Sequence, residues 1–331
     1  MRIVALEEHF TVPELIGRIE PATIRARGFP GPDIRPLAKA RSADLAEVGP
    51  ERLARMDEAG ISLQVLSAVG PGADLLDPTR GIALARDYNN RLKQIVNERP
   101  DRFAGFAHLP MTAPDAAADE LERAVRELGF CGALVNGTTE GRFLDDPMYA
   151  PLLARAEQLD VPIYLHPGIP PEAVRKAYYD GLPGGTGFVL STAGWGWHAE
   201  TAVHVLRLVL SGTLERHRRL KLIIGHMGEG LPAMMARCDN TLGGEVSTYL
   251  DRGVSETILD QVWITTSGFF TLAPFMAALM TFGADRILFS VDYPFARNDV
   301  GTRFLDTLPV SPADKLKIAH ANADRLLGLK P

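Results

Sequence analysis

Eight short β-rich runs, each followed by a stretch with helical character, set the tightest limit on how this chain can fold. The runs are residues 2–6 (RIVAL), 62–69 (SLQVLSAV), 103–109 (FAGFAHL), 131–136 (CGALVN), 161–165 (VPIYL), 221–225 (KLIIG), 262–266 (VWITT) and 286–291 (RILFSV). Most are nearly continuous apolar segments, the pattern of a parallel sheet buried on both faces. Between them, Ile82, Leu84, Ala85, Tyr88, Leu92 and Ile95 recur at helical spacing in residues 82–98. Residues 114–128 open on Pro114-Asp115 and stop at Gly129, and 149–159, 199–212, 272–283 and 312–328 read similarly. Strand–helix alternation repeated eight times predicts an α/β fold, a (β/α)8 TIM barrel. A doubly wound open sheet is the rival, but no G-x-G-x-x-G follows the first run.

With 331 residues and no evident linker, the chain is expected to form one barrel domain over residues 1–331. Two stretches exceed a minimal barrel. Residues 11–43 follow the first strand without clear period, and residues 167–197 follow the fifth, with Pro167, Pro170, Pro171 and a Gly-rich end at Gly194-Trp195-Gly196-Trp197. Both lie after strands, on the side where such barrels carry active sites, and read as lids or pocket walls. Lys plus Arg number 35 against 41 for Asp plus Glu, a net charge of −6 with no basic run, which argues against a nucleic-acid partner. No apolar stretch approaches the roughly 20 residues of a membrane helix. Cys131 and Cys238 form neither a metal-type pair nor a disulfide framework. The first apolar run, Ile3 to Leu6, is too short for a signal peptide, so the expected location is the cytoplasm.

In a barrel, polar residues at strand ends converge on one mouth. The first strand ends in Glu7 and His9, the fourth at Asn136, the fifth at His166, the sixth at His226, the seventh at Ser267 and the eighth at Asp292. Glu7 and His9 are two apart, which puts both side chains on one face of a strand. With His166 and Asp292 they can supply two nitrogen and two oxygen ligands to one divalent cation, Zn²⁺ or Mn²⁺. A lone strand-end His is usually structural, and an Asp after a strand can simply cap the next helix; four such residues at strand ends favour the metal reading. In Gly225-His226-Met227-Gly228-Glu229, His226 and Glu229 are three apart and share a face if a helix begins there. His226 then reads as a general acid/base or substrate-polarising group tuned by Glu229, against the alternative of a hydrogen-bonded structural His. His108 divides evenly between pocket and core, His204 reads as structural, and His198 belongs to the Trp197–Thr201 region leading into the helix that carries His204. Arg237, near Asp239, suits either a substrate carboxylate or a salt bridge.

The segments ALEEHF (5–10), ELGFCGALVNG (127–137), LDVPIYLHPG (159–168), GWHAETAVHVLRL (196–208), LIIGHMGEGLP (222–232) and ADRILFSVDYPF (284–295) resemble the amidohydrolase-related metal-dependent decarboxylases. That family includes the γ-resorcylate, 2,3-dihydroxybenzoate and aminocarboxymuconate semialdehyde decarboxylases. The resemblance runs from end to end. It implies a (β/α)8 barrel with one metal on Glu7, His9, His166 and Asp292, and His226 with Glu229 as the catalytic pair. Binuclear relatives carry a bridging lysine where this chain has Asn136, so one metal per chain is implied. After Phe295 the benzoate-type members usually carry Glu; here Ala296 and Arg297 follow, which bears on substrate identity. The family also implies a homodimer or homotetramer completing the pocket across an interface, with Arg237 and His198 as substrate-binding candidates.

Two reactions suit these residues. The favoured one is non-oxidative decarboxylation of a hydroxylated aromatic or related unsaturated carboxylic acid, with Asp292 as proton donor and His226 on the phenolic oxygen. The alternative is hydrolysis of an amide, lactone or ester, with His226 as base to a metal-activated water. A non-catalytic binding protein would be expected to lack a ligand or an acid/base group, and none is lacking.

Overall fold

Strand β1 (Val4–Phe10) is buried along its whole length and begins a closed ring of parallel strands. The computed structural model describes residues 1–29 and 42–330. After β1 come β2 (Leu63–Ala68), β3 (Phe103–Gly105), β4 (Ala107–His108), β5 (Ala133–Asn136), β6 (Ile163–His166), β7 (Leu222–Ile224), β8 (Val262–Thr265) and β9 (Ile287–Leu288). Each pairs in parallel with its neighbour in two runs, β1-β2-β3 and β4 through β9. Strands β3 and β4 occupy one barrel position that changes partner at Phe106. The Phe106 N–H donates to Leu66 O at 2.9 Å, and the next residue, Ala107, donates to Gly132 O at 2.8 Å. The ring closes where the His9 N–H donates to Tyr293 O at 2.8 Å beside a parallel Glu8–Tyr293 bridge. The result is the eight-position (β/α)8 barrel.

The barrel interior is filled by Val4, Leu6, Val65, Phe106, Leu134, Tyr164, Ile223 and Leu288, and Leu326 and Leu327 of the helix Asn322–Leu327 join that cluster. A second layer, including Leu84, Leu92, Leu121, Leu152, Leu208 and Phe275, seals the helices onto the strands. Each such side chain contributes about 1.5–3 kcal/mol on burial. The helix Pro78–Glu98 shows how local sequence sets an element. Pro78 stands in its first turn, and the Asp77 side chain accepts from the Arg80 N–H at 3.2 Å.

Boundaries differ from expectation in ways that matter for the site. Strand β1 runs on to Phe10, so Glu7 and His9 lie inside a strand rather than at its end. Its register against β2 slips between Ala5 and Glu8: Ala5 faces Gln64 and Glu8 faces Leu66, three steps against two. This extra residue is a β-bulge. Strict alternation from Val4 and Leu6, both interior, would turn Glu7 outward; the bulge turns it, and then His9, toward the barrel axis. The extra stretches are not bare loops. Residues 11–43 contain the helices Pro13–Ile16 and Pro21–Arg27, with residues 30–41 outside the described set, and 167–197 contain Glu172–Tyr178 and Thr186–Ser191. Helices of four to seven residues are too short to announce themselves by periodicity. Among the described residues no helix is long and apolar enough to cross a membrane, and both cysteines are free.

Candidate active site

The C-terminal mouth of the barrel gathers the four sequence-predicted ligands. From β1, Glu7 Oε1 lies 4.0 Å from His9 Nε2. From the end of β6, His166 Nε2 lies 3.3 Å from the same Glu7 oxygen. Beyond β9, Asp292 Oδ1 lies 3.3 Å from His9 Nε2. His226 Nε2 completes the ring, 3.5 Å from Glu7 Oε1 and 4.0 Å from Asp292 Oδ2.

The hydrogen bonding fits a cation at this centre. Glu7 Oε1 and His9 Nε2 are buried without any hydrogen-bond partner, a costly state for polar atoms unless a ligand satisfies them. The opposite edge of each imidazole is held: His166 Nδ1 donates to Pro167 O at 2.8 Å, and His9 Nδ1 lies 3.2 Å from Ser67 Oγ. Such contacts fix the tautomer that leaves Nε2 free to ligate. Burial lowers the His9 pKa, the direction that favours the neutral ring a metal ligand needs. Burial also works to raise Glu7, but the facing His226, His166 and His9 rings outweigh it and hold the carboxyl well below its usual range. Glu7, His9 and His166 offer donor atoms within 4.8 Å of one another.

His226 and Glu229 meet, though not in the way their spacing suggested. His226, Met227, Gly228, Glu229 and Gly230 all have positive φ, from 51° to 82°, so a left-handed turn stands where a right-handed helix was expected. Gly228 and Gly230 adopt it freely, whereas the other three residues are strained by roughly 1–2 kcal/mol each. The turn puts His226 Nδ1 2.8 Å from Glu229 Oε1. The other Glu229 oxygen takes His198 Nδ1 at 2.6 Å, and His198 Nε2 lies 3.2 Å from Ala193 O. Burial works to lower the His226 pKa, but Glu229 and Glu7 overcome it and push the ring up to about 10. Asp292 is strained as well, with φ 72°. Strain concentrated on polar residues at one mouth is a common mark of a functional site.

Aromatic rings wall this space. Phe269 packs edge-on against His198 and His226, with ring centres 5.1 and 5.9 Å apart, and Phe295 stands 5.7 Å from His9. Trp197 lies 6.3 Å from the His166 ring, and its indole Nε1 is buried without a partner.

Arg237 is not brought to the site within one chain: it is exposed on the helix Leu231–Val246 and makes no ion pair among the described residues. Its neighbour Asp239 accepts from the Ser255 N–H at 3.0 Å, and of the two readings weighed for Arg237 the salt bridge to Asp239 is not formed. His108 belongs to the core, where its Nε2 accepts from the Ala73 N–H at 3.0 Å, and His204 accepts likewise from Leu144.

Residue-by-residue reading missed several contributors. Tyr164 is two positions before His166 on β6, so both face the axis by strand alternation, a signal that was available. Glu8 points the other way, and its carboxylate accepts from the Val291 and Tyr293 N–H groups at 2.8 and 3.2 Å, fixing the backbone on both sides of Asp292. Burial pushes the Glu8 carboxyl up to about 8 against those donors and the nearby Arg52. Nothing in the order of residues separates Glu8 from an ordinary strand residue.

A closed parallel barrel with carboxylates and imidazoles from four different strands at its C-terminal mouth defines a metal-dependent enzyme of the amidohydrolase type. The family model described as Amidohydrolase matches residues 39–329, and the chain belongs to that family. It is 40% identical over 337 residues to the gamma-resorcylate decarboxylase of Rhizobium sp. (strain MTP-10005), covering 98% of both chains. Among solved structures it matches a 2,6-dihydroxybenzoate decarboxylase complexed with 2,6-dihydroxybenzoate at TM-score 0.88 and 39% identity, covering 99% of this chain and 100% of the other. A dihydroxybenzoic acid decarboxylase from Polaromonas sp. JS666, with bound manganese and the inhibitor 2-nitroresorcinol, matches at TM-score 0.87 and 36% identity, over 99% and 97%. The chain is thus a carbon–carbon lyase by kinship.

Proposed function

We propose that this protein carries out the non-oxidative decarboxylation of a hydroxylated aromatic acid at one divalent cation held by Glu7, His9, His166 and Asp292. The observation that carries the reading is the pair of buried, unpartnered atoms, Glu7 Oε1 and His9 Nε2, facing the same small space as His166 and Asp292. When bound, the cation polarises the carboxylate and ortho-hydroxyl oxygens of the substrate and draws charge from the ring. Manganese is the first choice, since a similar structure binds it, and zinc is the alternative.

The remaining steps belong to side chains. Asp292 delivers a proton to the ring carbon that bears the carboxylate. The carbon–carbon bond then breaks, CO₂ leaves, its electron pair restores the aromatic ring, and solvent returns a proton to Asp292. His226, protonated by virtue of Glu229 and Glu7, donates to the phenolic oxygen. His198 has both nitrogens engaged, so its part is to hold Glu229 rather than to grip substrate. Phe269, Phe295 and Trp197 keep water from the centre, which strengthens every charge interaction there. Arg237 reaches the substrate carboxylate from a second copy of the chain, in a homodimer or homotetramer; light scattering showing a monomer with full activity would remove that role.

The test is to incubate manganese-loaded protein with a panel of ortho-hydroxybenzoates and follow CO₂ and phenol release. Turnover of at least one acid is expected. No turnover there, with cleavage of lactones or amides instead, would replace lyase chemistry by hydrolysis.

A further inference from the structure

Glu7 has two oxygens with opposite surroundings. Oε1 is bare and faces the histidines, whereas Oε2 is enclosed by three hydroxyls. Tyr164 donates its hydroxyl proton to Oε2, Ser267 Oγ donates at 2.5 Å, and Thr265 Oγ1 stands at 3.4 Å. The hydroxyls also bond to one another, Thr265 to Tyr164 at 2.9 Å and Thr265 to Ser267 at 2.7 Å. Three protons serve this cluster. Tyr164 and Ser267 give theirs to the carboxylate, which leaves Thr265 to bridge to one of them. All three side chains are buried.

Gly225 makes room for this arrangement. A Cβ there would stand 2.7 Å from Glu7 Oε2, 3.2 Å from Ser267 Oγ and 3.3 Å from the Tyr164 hydroxyl, so a larger residue would push the cluster apart. Ser267 has a second contact: its Oγ accepts from the His226 backbone N–H at 3.0 Å. One hydroxyl therefore ties the Glu7 carboxylate to the first residue of the strained left-handed turn that carries His226.

We propose that Tyr164, Thr265 and Ser267 form a positioning clamp that holds Glu7 as a one-oxygen metal ligand and, through Ser267, locks the His226 turn to that ligand. The reading rests on Glu7 being a metal ligand. With Oε2 saturated, Glu7 cannot swing both oxygens onto the cation, and Oε1 is presented at a fixed point. Partners that orient a metal ligand typically change metal affinity by 10–100-fold when removed.

The experiment titrates Mn²⁺ alone into metal-stripped wild type, Tyr164→Phe, Ser267→Ala, Ser267→Thr and Glu7→Gln by chelator competition, with near-ultraviolet circular dichroism as a check on folding. Wild type is expected to bind one Mn²⁺, Glu7→Gln to lose it, Tyr164→Phe and Ser267→Ala to bind roughly 10–100-fold more weakly, and Ser267→Thr to recover most of the loss. Ser267→Ala should also lower kcat at saturating metal more than it raises KM, since it frees the His226 turn, while Tyr164→Phe should act mainly through metal affinity. Folded Tyr164→Phe and Ser267→Ala proteins that bind Mn²⁺ as tightly as wild type would overturn the clamp. If either fails to fold, Thr265→Val, which removes only the bridging hydroxyl, decides on the same affinity scale. A wild type that binds no Mn²⁺, or a Glu7→Gln protein that binds it normally, would overturn the ligand assignment itself.

Discussion

His226 gives its Nδ1 proton to Glu229 at 2.8 Å, while its Nε2 looks across 3.5 Å to the bare oxygen of Glu7. The same ring thus joins a buried carboxylate on one side to the proposed metal centre on the other. Replacing Glu229 with Gln keeps the shape but removes the charge that holds the ring protonated. We expect kcat to fall by roughly a hundredfold or more, within the range for losing a positioned acid, with little change in manganese content. Steady-state kinetics beside metal analysis would check this; an unchanged kcat would remove His226 protonation from the reaction.

Metal content and stability should move together. The wild type is expected to hold one manganese per chain, and His166→Ala to hold almost none. A ligand present at a hundred times its Kd stabilises by about 2.7 kcal/mol, so chelation should lower Tm by roughly 5 °C. Two metals per chain would contradict a single-ion centre.

Acid should weaken the fold through two buried histidines outside the proposed ligand set. Burial holds His204 down to about 3 and His108 down to about 4, and both act as acceptors of backbone N–H groups. An unfolded histidine takes up a proton near pH 6.5, while these do not until far lower. The unfolded state therefore binds more protons between pH 6.5 and about 4, and stability falls as pH falls through that window. Each group contributes at most about 1.4 kcal/mol per pH unit. Urea midpoints at pH 6, 5.2 and 4.5, where these two histidines outweigh the one raised carboxyl of Glu8, would show the decline, and a midpoint that rises on acidification within that window would contradict it.

Trp197 should govern substrate affinity rather than the chemical step. Its unpartnered indole N–H lies beside His166, where an anionic oxygen can accept it. Trp197→Phe is expected to raise KM about tenfold, in line with a hydrogen bond to a charged group, and to leave kcat within a few-fold. A kcat loss with unchanged KM would place its role elsewhere.

Glu8 should matter through the backbone. Its carboxylate takes the N–H groups on either side of Asp292 and is linked through Gln64 to the buried Arg52. Glu8→Ala leaves those donors unsatisfied and is expected to cost about 2–4 kcal/mol in urea unfolding, with lower metal affinity because Asp292 is no longer fixed. A change under 1 kcal/mol would show that water replaces the carboxylate.

Much of this was legible in the order of residues. The eight apolar runs forced a parallel, doubly covered sheet because each buries both faces, and the two-residue spacing of Glu7 and His9 put them on one side of a strand. The placement of His166 at the end of a later strand, and of His226 and Asp292 just beyond two others, followed from barrel geometry. What local pattern could not supply was direction at irregular points. The bulge between Ala5 and Glu8 decides that Glu7 and His9 face the axis rather than the helices, and it is set by pairing with β2, over fifty residues away. The left-handed turn at His226 is held by Ser267 and Glu229, and the hydroxyls on Glu7 come from β6, β8 and the residues after β8. Periodicity reports what each element prefers alone; bulges, strained turns and shared protons arise only where distant strands meet, because only there do the unsatisfied groups find one another.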